Sequence, residues 1–131
     1  MREIKFKAWV KDRKEIFEIV LINYVSKKVT YILERIGHPL NIRDGKFNDV
    51  EFNEIELMQY TGLKDEYGDE IYEGDIVTLH NSRYKVIFNM EQARFVLRDD
   101  KFEMEIPFTN NNNERMEIIG NIYENPELIE D

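Results

Sequence analysis

Leu57-Met58-Gln59-Tyr60-Thr61-Gly62-Leu63-Lys64-Asp65-Glu66-Tyr67-Gly68-Asp69-Glu70-Ile71-Tyr72-Glu73-Gly74-Asp75-Ile76-Val77-Thr78-Leu79 decides how this chain is to be read. Short runs of Leu, Ile, Val, Tyr and Thr alternate with glycine-punctuated acidic turns. β-branched and aromatic runs bounded by Gly, Asp and Asn are the mark of strands joined by tight connections. Leu57–Tyr60 reads as a short strand ended by Thr61-Gly62. Asp65–Gly68 reads as a loop tip, Ile71-Tyr72 as extended chain and Glu73-Gly74-Asp75 as a turn into Ile76–Leu79. Gly62, Gly68 and Gly74 suit backbone at positive φ. They recur every six residues beside three different turn chemistries, so they form no phosphate-binding fingerprint.

Downstream the pattern continues. Asn81-Ser82 reads as a two-residue hairpin turn between Ile76–Leu79 and Arg83–Phe88. Asn89–Gln92 is a loop, Arg94–Leu97 a strand, Asp99-Asp100 a turn and Phe102–Ile106 a strand stopped by Pro107. A further strand contains Glu117-Ile118-Ile119, with Gly120 as an interruption. Asn125-Pro126-Glu127 supplies a cap, a proline suited to a first helical position and an acid, so a short C-terminal helical turn is expected. About five strands at this spacing indicate a small SH3-like barrel or a sandwich over residues 57–131.

Upstream, Ile4-Lys5-Phe6-Lys7-Ala8-Trp9-Val10 alternates strictly, as a half-buried strand does. Ile4, Phe6, Ala8 and Val10 point one way and Lys5, Lys7 and Trp9 the other. Ile16–Val25 is dense in β-branched and aromatic residues, Ser26-Lys27-Lys28 reads as a turn and Val29–Leu33 as a third strand. A helix over Tyr31–Ile36 is the alternative at that point. Residues 1–36 therefore read as a β-meander, and 37–56 as a polar loop that admits a short strand near Lys46–Phe52. The whole is one all-β domain, residues 1–131, with that loop as the boundary between subdomains.

The bulk numbers set bounds on function. A chain of 131 residues without cysteine folds around its own core and excludes disulfides and thiolate metal sites. That suits a reducing compartment, here the cytoplasm. Met1–Lys7 has no apolar signal-peptide core. The longest nearly uncharged run, Ile19–Ser26, is eight residues, against about twenty for a membrane helix.

The net charge is −9 and uneven. Residues 1–50 carry eleven Lys and Arg against seven acids; residues 51–131 carry seven against twenty. Nine acids fall between Glu51 and Asp75 with Lys64 as the single cation among them. Such a balance disfavours general nucleic-acid binding, which rests on Lys and Arg. A solvated acidic face is the plain reading; mimicry of nucleic acid toward a host DNA-binding protein is the sharper one.

Candidate chemistry is sparse. Ser26 and Ser82 lie in turns outside any Gly-x-Ser-x-Gly elbow. His38 and His80 lack metal-ligand spacing. Asp65, Asp69, Glu70, Glu73 and Asp75 are oxygen ligands in principle but miss the calcium-loop pattern. No cofactor is expected and no catalytic constellation is present, so a non-enzymatic protein is expected. Lys5, Lys7 and Trp9 share a strand face and give the one nucleic-acid reading, through phosphate contact and base stacking. Lysine stems packed over a partly exposed indole explain them equally.

Three blocks of sequence, in order, resemble the YopX family. They are Arg2–Trp9; Leu57–Asp65 with Gly68 and Glu70–Val77; and Ile118-Ile119-Gly120-Asn121-Ile122-Tyr123-Glu124-Asn125-Pro126-Glu127-Leu128. Val10–Glu56 departs most from the family's pattern. The resemblance implies a mostly β protein encoded by bacteriophages, prophages or other mobile elements of bacteria. The family has no assigned biochemical activity, so the resemblance brings no catalytic residues. It marks Gly62, Gly68, Gly74, Asp75, Asn125 and Pro126 as fold-defining turns. The expected function is an accessory role through protein–protein contact, with a second copy of the chain among the partners. Nucleic-acid binding is the alternative, and no membrane association is expected.

Overall fold

Alternation at the start of the chain becomes strand β1, Phe6–Val10, with Ala8 and Val10 buried. The computed structural model describes residues 2–34, 46–109 and 115–130. Ile4 does not join the strand or its buried side; it is 62% exposed. β2 is Glu15–Asn23 and β3 is Lys28–Glu34, so Tyr31 to Glu34 is extended chain and not the helix held as an alternative. Residues 37–45 of the expected loop lie outside the described residues. From Lys46 onward the segment is regular, and the short strand admitted near Lys46–Phe52 is present. Lys46–Glu51 is strand β4, Phe52–Glu54 a single 3₁₀ turn, and Ile55–Lys64 the long strand β5.

Two compact units result, Lys5–Met58, and Met1–Ile4 with Gln59–Asp131. The division falls inside β5, beyond the 37–56 segment. In the first unit the strands are ordered β4-β3-β2-β1-β5, each antiparallel to its neighbour in β4 through β1. Ala8, Val10, Val29, Tyr31, Val50 and Ile55 make its core. Phe17 packs on it with its ring 4.7 Å from that of Tyr31. Each fully buried side chain of this size contributes roughly 1.5–3 kcal/mol of transfer free energy.

In the second unit β5 continues against β6, Glu70–Tyr72, where Tyr60 faces Tyr72 and Lys64 faces Glu70. Thr61-Gly62 does not end the strand. It forms an irregularity within it: Gly62 takes φ +91° and the Thr61 hydroxyl donates to the Ile71 carbonyl at 2.7 Å. Five strands then build the other sheet: β7, Asp75–Leu79; β8, Ser82–Asn89; β9, Arg94–Asp99; β10, Met104–Pro107; and β11, Glu117–Asn121. Their order is β10-β9-β8-β7-β11, a meander whose last strand returns beside its first. Ile71, Val77, Leu79, Tyr84, Val86, Leu97 and Met116 form the core. The all-β expectation holds.

Turn chemistry sets the registers. The β7–β8 turn is His80-Asn81, one residue earlier than expected; both take positive φ, as a two-residue hairpin of matching twist needs, and Leu79 pairs with Ser82. Four other hairpins share one design. Val10 pairs with Glu15, Asn23 with Lys28, Asn89 with Arg94 and Asp99 with Met104. In each, four residues intervene and the fourth has positive φ: Lys14, Lys27, Ala93 and Glu103. In three of them the last strand residue is Asn or Asp, and its side-chain oxygen accepts backbone N–H groups of the turn. Asn23 Oδ1 takes Val25 and Ser26, Asn89 Oδ1 takes Gln92, and Asp99 Oδ1 takes Lys101 and Phe102. Phe102, expected in a strand, is therefore a turn residue.

The C-terminal turn is a 3₁₀ helix, Pro126–Leu128. Asn125 precedes it without capping it. Its Oδ1 instead accepts the Asn121 N–H at 3.2 Å. Gly120 is what admits this: a Cβ there would stand 2.5 Å from Asn125 Oδ1. Gly120 is thus a close-approach position within β11.

Candidate functional site

The apolar run Ile16–Val25 cannot all face one side of a strand. Ile19 pairs with Tyr31 and Ile22 with Val29, both on the core side, while a bulge between Ile19 and Leu21 interrupts the register. A bulge inserts a residue and re-aims its neighbours. Here it leaves Val20 and Leu21 both facing solvent, Leu21 at 57% exposure. Three residues on from Leu21, the β2–β3 hairpin presents Tyr24 and Val25 at its tip, 75% and 96% exposed. Asn23 fixes this tip through its two side-chain hydrogen bonds, and the Tyr24 ring stands edge-on to Phe52 at 6.2 Å.

Beside the tip lies a hollow of about 300 Å³ lined by Ser26, Lys27, Glu51, Phe52 and Asn53. Phe52 N–H donates to the Lys27 carbonyl at 2.9 Å, which ties the 3₁₀ turn to the hairpin. A projecting apolar tip, a hollow and charges of both signs thus sit together within the first unit. Sequence reading missed this site, because it took Tyr24-Val25 as strand and Ser26-Lys27-Lys28 as the turn. The available signal was Asn23, a turn former two residues before the expected strand end.

The residues suggested for nucleic acid, Lys5, Lys7 and Trp9, lie just before and within β1. β1 begins at Phe6, so Lys5 precedes it; Lys7 lies opposite Glu18 and Trp9 opposite Ile16. The acidic segment is partly internal. Asp65, 6% exposed, accepts the Tyr67 and Asp69 N–H groups on Oδ1, both at 2.9 Å, and the Ile118 N–H on Oδ2 at 3.1 Å. Asp75 Oδ2 accepts the Tyr72 N–H at 2.8 Å across the Glu73-Gly74 turn. Gly68 and Gly74, like Gly62, take positive φ, and Gly74 N–H donates to the Val86 carbonyl. Asn121 Oδ1 accepts from Tyr123 and Glu124. Pro126 opens the terminal 3₁₀ turn. These polar side chains are spent on backbone donors. Glu73 differs: loss of water around it pushes its carboxyl up, opposed by the Gln59 N–H bond.

Among the described residues, no three His, Cys, Asp or Glu side chains converge on a possible metal position. No helix among them is long and apolar enough to cross a membrane, which leaves strand-based spanning unaddressed.

The model of the YopX protein family matches residues 5–130. The chain belongs to the YopX family. Protein EF1440 from Enterococcus faecalis has a similar crystal structure, with a TM-score of 0.68 at 27% identity, over 99% of this chain and 100% of that one. Protein yopX from Bacillus subtilis shares the fold at a TM-score of 0.52 and 16% identity, over 100% of this chain and 98% of that one. No curated protein matches in sequence. The family match includes residues 10–56, the stretch that departs most from the blocks carrying the resemblance.

Proposed function

We propose that this YopX-family chain is a non-enzymatic accessory protein of a phage, prophage or other mobile element, acting in the bacterial cytoplasm by protein–protein contact. Its first partner is a second copy of itself, bound through the β2–β3 hairpin. The observation that carries this is the bulge in β2, which turns Val20 and Leu21 outward next to the exposed Tyr24-Val25 tip. Four apolar residues in six positions on one exposed hairpin make a docking surface rather than scattered exposure.

The adjoining hollow argues for self-association. A two-fold interface needs a surface that offers both a projection and its receptacle. Here Val25 projects and the hollow lined by Lys27, Glu51 and Phe52 receives, with Lys27 and Glu51 available to pair reciprocally across the axis. In the C-terminal unit, the order β10-β9-β8-β7-β11 supports an SH3-like arrangement, a scaffold common among contact modules.

Light scattering during size-exclusion tests the proposal. The wild type should run as a dimer at micromolar concentration and Val25→Asp as a folded monomer. A wild type that stays monomeric at millimolar concentration, or a Val25→Asp dimer as stable as wild type, overturns it.

A further inference from the structure

Five of the seven Lys and Arg residues in positions 51–131 fall between Arg83 and Lys101, amid strongly acidic sequence. Period-2 alternation puts Arg83 and Lys85 on one face of β8, and register places Arg98 of β9 directly opposite Lys85. Asp100 reaches back between them. Its Oδ2 lies 2.6 Å from Lys85 Nζ, and its Oδ1 accepts from Arg98 Nε at 2.9 Å. These groups line a cleft of about 420 Å³ in the C-terminal unit. Arg83 also lines it and donates from Nη1 to the Leu128 carbonyl at 3.1 Å. Phe102 lines the cleft with 68% of its surface exposed, and the Lys101 ammonium stands 5.8 Å from its ring.

Asp100 shows what the two cations accept: two oxygens of one anion, bridged between Lys85 and Arg98. The Asp99 side chain holds the turn's Lys101 and Phe102 N–H groups, and Asp100 contributes its backbone carbonyl to the turn while its carboxylate turns to Lys85 and Arg98. Hydrogen bonds from Lys85 and then Arg98 hold its carboxyl below the usual carboxylate range. A phosphodiester also offers two oxygens on one charge, and an exposed aromatic beside cations offers a stacking face to a base. An acidic peptide would satisfy the cations but leave the Phe102 ring without a planar partner.

The geometry points to a nucleotide site: a phosphate taken between Lys85 and Arg98 with its base on Phe102, for which Asp100 is the resident counter-ion. The chain's net charge of −9 opposes long polyanions. The site therefore suits one or a few nucleotides, supplied as free nucleotide or as a single strand.

Fluorescence polarisation with a short labelled oligothymidylate at low salt tests this. Binding should weaken about tenfold or more in Lys85→Ala/Arg98→Ala, and strengthen several-fold in Asp100→Asn, which removes the competing anion. With one phosphate held between Lys85 and Arg98, the plot of log affinity against log salt should have a slope of about −0.7. Competition by thymidine monophosphate at similar concentration identifies free nucleotide as the source. Competition by oligonucleotide alone identifies a strand. Circular dichroism checks that the variants fold, and the gain in Asp100→Asn stands independently of the double variant. No binding at low salt, affinity unchanged by either substitution, or displacement by an acidic peptide as readily as by nucleotide overturns the site.

Discussion

Asp65 should be the most costly single polar side chain to remove from the C-terminal unit. Its carboxylate receives three backbone N–H groups: Tyr67 and Asp69 on one oxygen, Ile118 on the other. The last of these joins the Asp65–Asp69 loop to β11 across 53 positions of sequence. A hydrogen bond to a charged group is worth about 1.5–3 kcal/mol net. Tyr67 and Asp69 are exposed, so water replaces part of what their N–H groups lose. Ile118 is only half-exposed. Asp65→Ala should therefore destabilise by about 3–4 kcal/mol, below the sum of three full bonds. Asp65→Asn is the sharper test. An amide has one oxygen, so it can serve the Tyr67–Asp69 pair or Ile118, and its NH₂ must then face an N–H donor. The expected loss is about 1.5–2 kcal/mol. Urea denaturation followed by circular dichroism measures both; with a slope of about 2 kcal/mol per molar, Asp65→Ala moves the midpoint by roughly 1.5–2 M. Hydrogen exchange should show lost protection at the Ile118 amide in Asp65→Asn. An Asn variant within about 0.5 kcal/mol of wild type, or unchanged Ile118 protection, would refute the reasoning.

Two further outcomes follow from the backbone and from Glu73. Ala93 takes φ +54° at the closing position of the β8–β9 hairpin, where a Cβ costs about 1–2 kcal/mol. Ala93→Gly removes that cost and gives back about 0.4–1 kcal/mol in unfolded-chain entropy, so thermal unfolding should show a net gain of up to about 1 kcal/mol. A loss of stability would show that the turn does not need this conformation. Burial raises the Glu73 carboxyl above its ordinary value, so its favourable contribution is full at pH below the unfolded value and is lost as pH rises through the folded one. Glu73→Gln, neutral throughout, should melt higher than wild type at pH 7, by a few degrees at most. The gap should close below about pH 4. Equal melting temperatures at pH 7 would contradict the desolvation argument.

Local pattern reached the strands inside each sheet more readily than the edges. The alternation of Phe6–Val10 and the β-branched runs of β7 to β9 are legible because each lies within its sheet, with β7 buried on both sides. β4 is not. Lys46-Phe47-Asn48-Asp49-Val50-Glu51 is an edge strand with Val50 as its one buried residue, and edge strands favour the polar composition that reads as loop. Gly62 reads as a break because glycine weakens a strand interior, yet a bulge uses the same property to let β5 run on. The basic cleft was hidden by averaging. Arg83, Lys85 and Arg98 vanish into a half-chain with seven cations and twenty acids, and only the pairing of Lys85 with Arg98 brings them together.

The acidic density of Glu51–Asp75 invites a single explanation, a charged surface for some partner. The carboxylates divide by role instead. Asp65 and Asp75 are buried, and each accepts backbone N–H groups: Tyr67, Asp69 and Ile118 for Asp65, Tyr72 for Asp75. Glu56, Glu66, Asp69 and the other exposed acids of the segment face water. A substitution series therefore separates fold from surface charge. Replacing exposed acids by their amides changes net charge and leaves the turns intact, while replacing Asp65 or Asp75 changes charge by the same amount and loosens the unit. Any partner that answers to the charge of this segment must lose affinity with the first set at full stability. A partner lost only with Asp65→Asn or Asp75→Asn is recognising the shape those two carboxylates maintain.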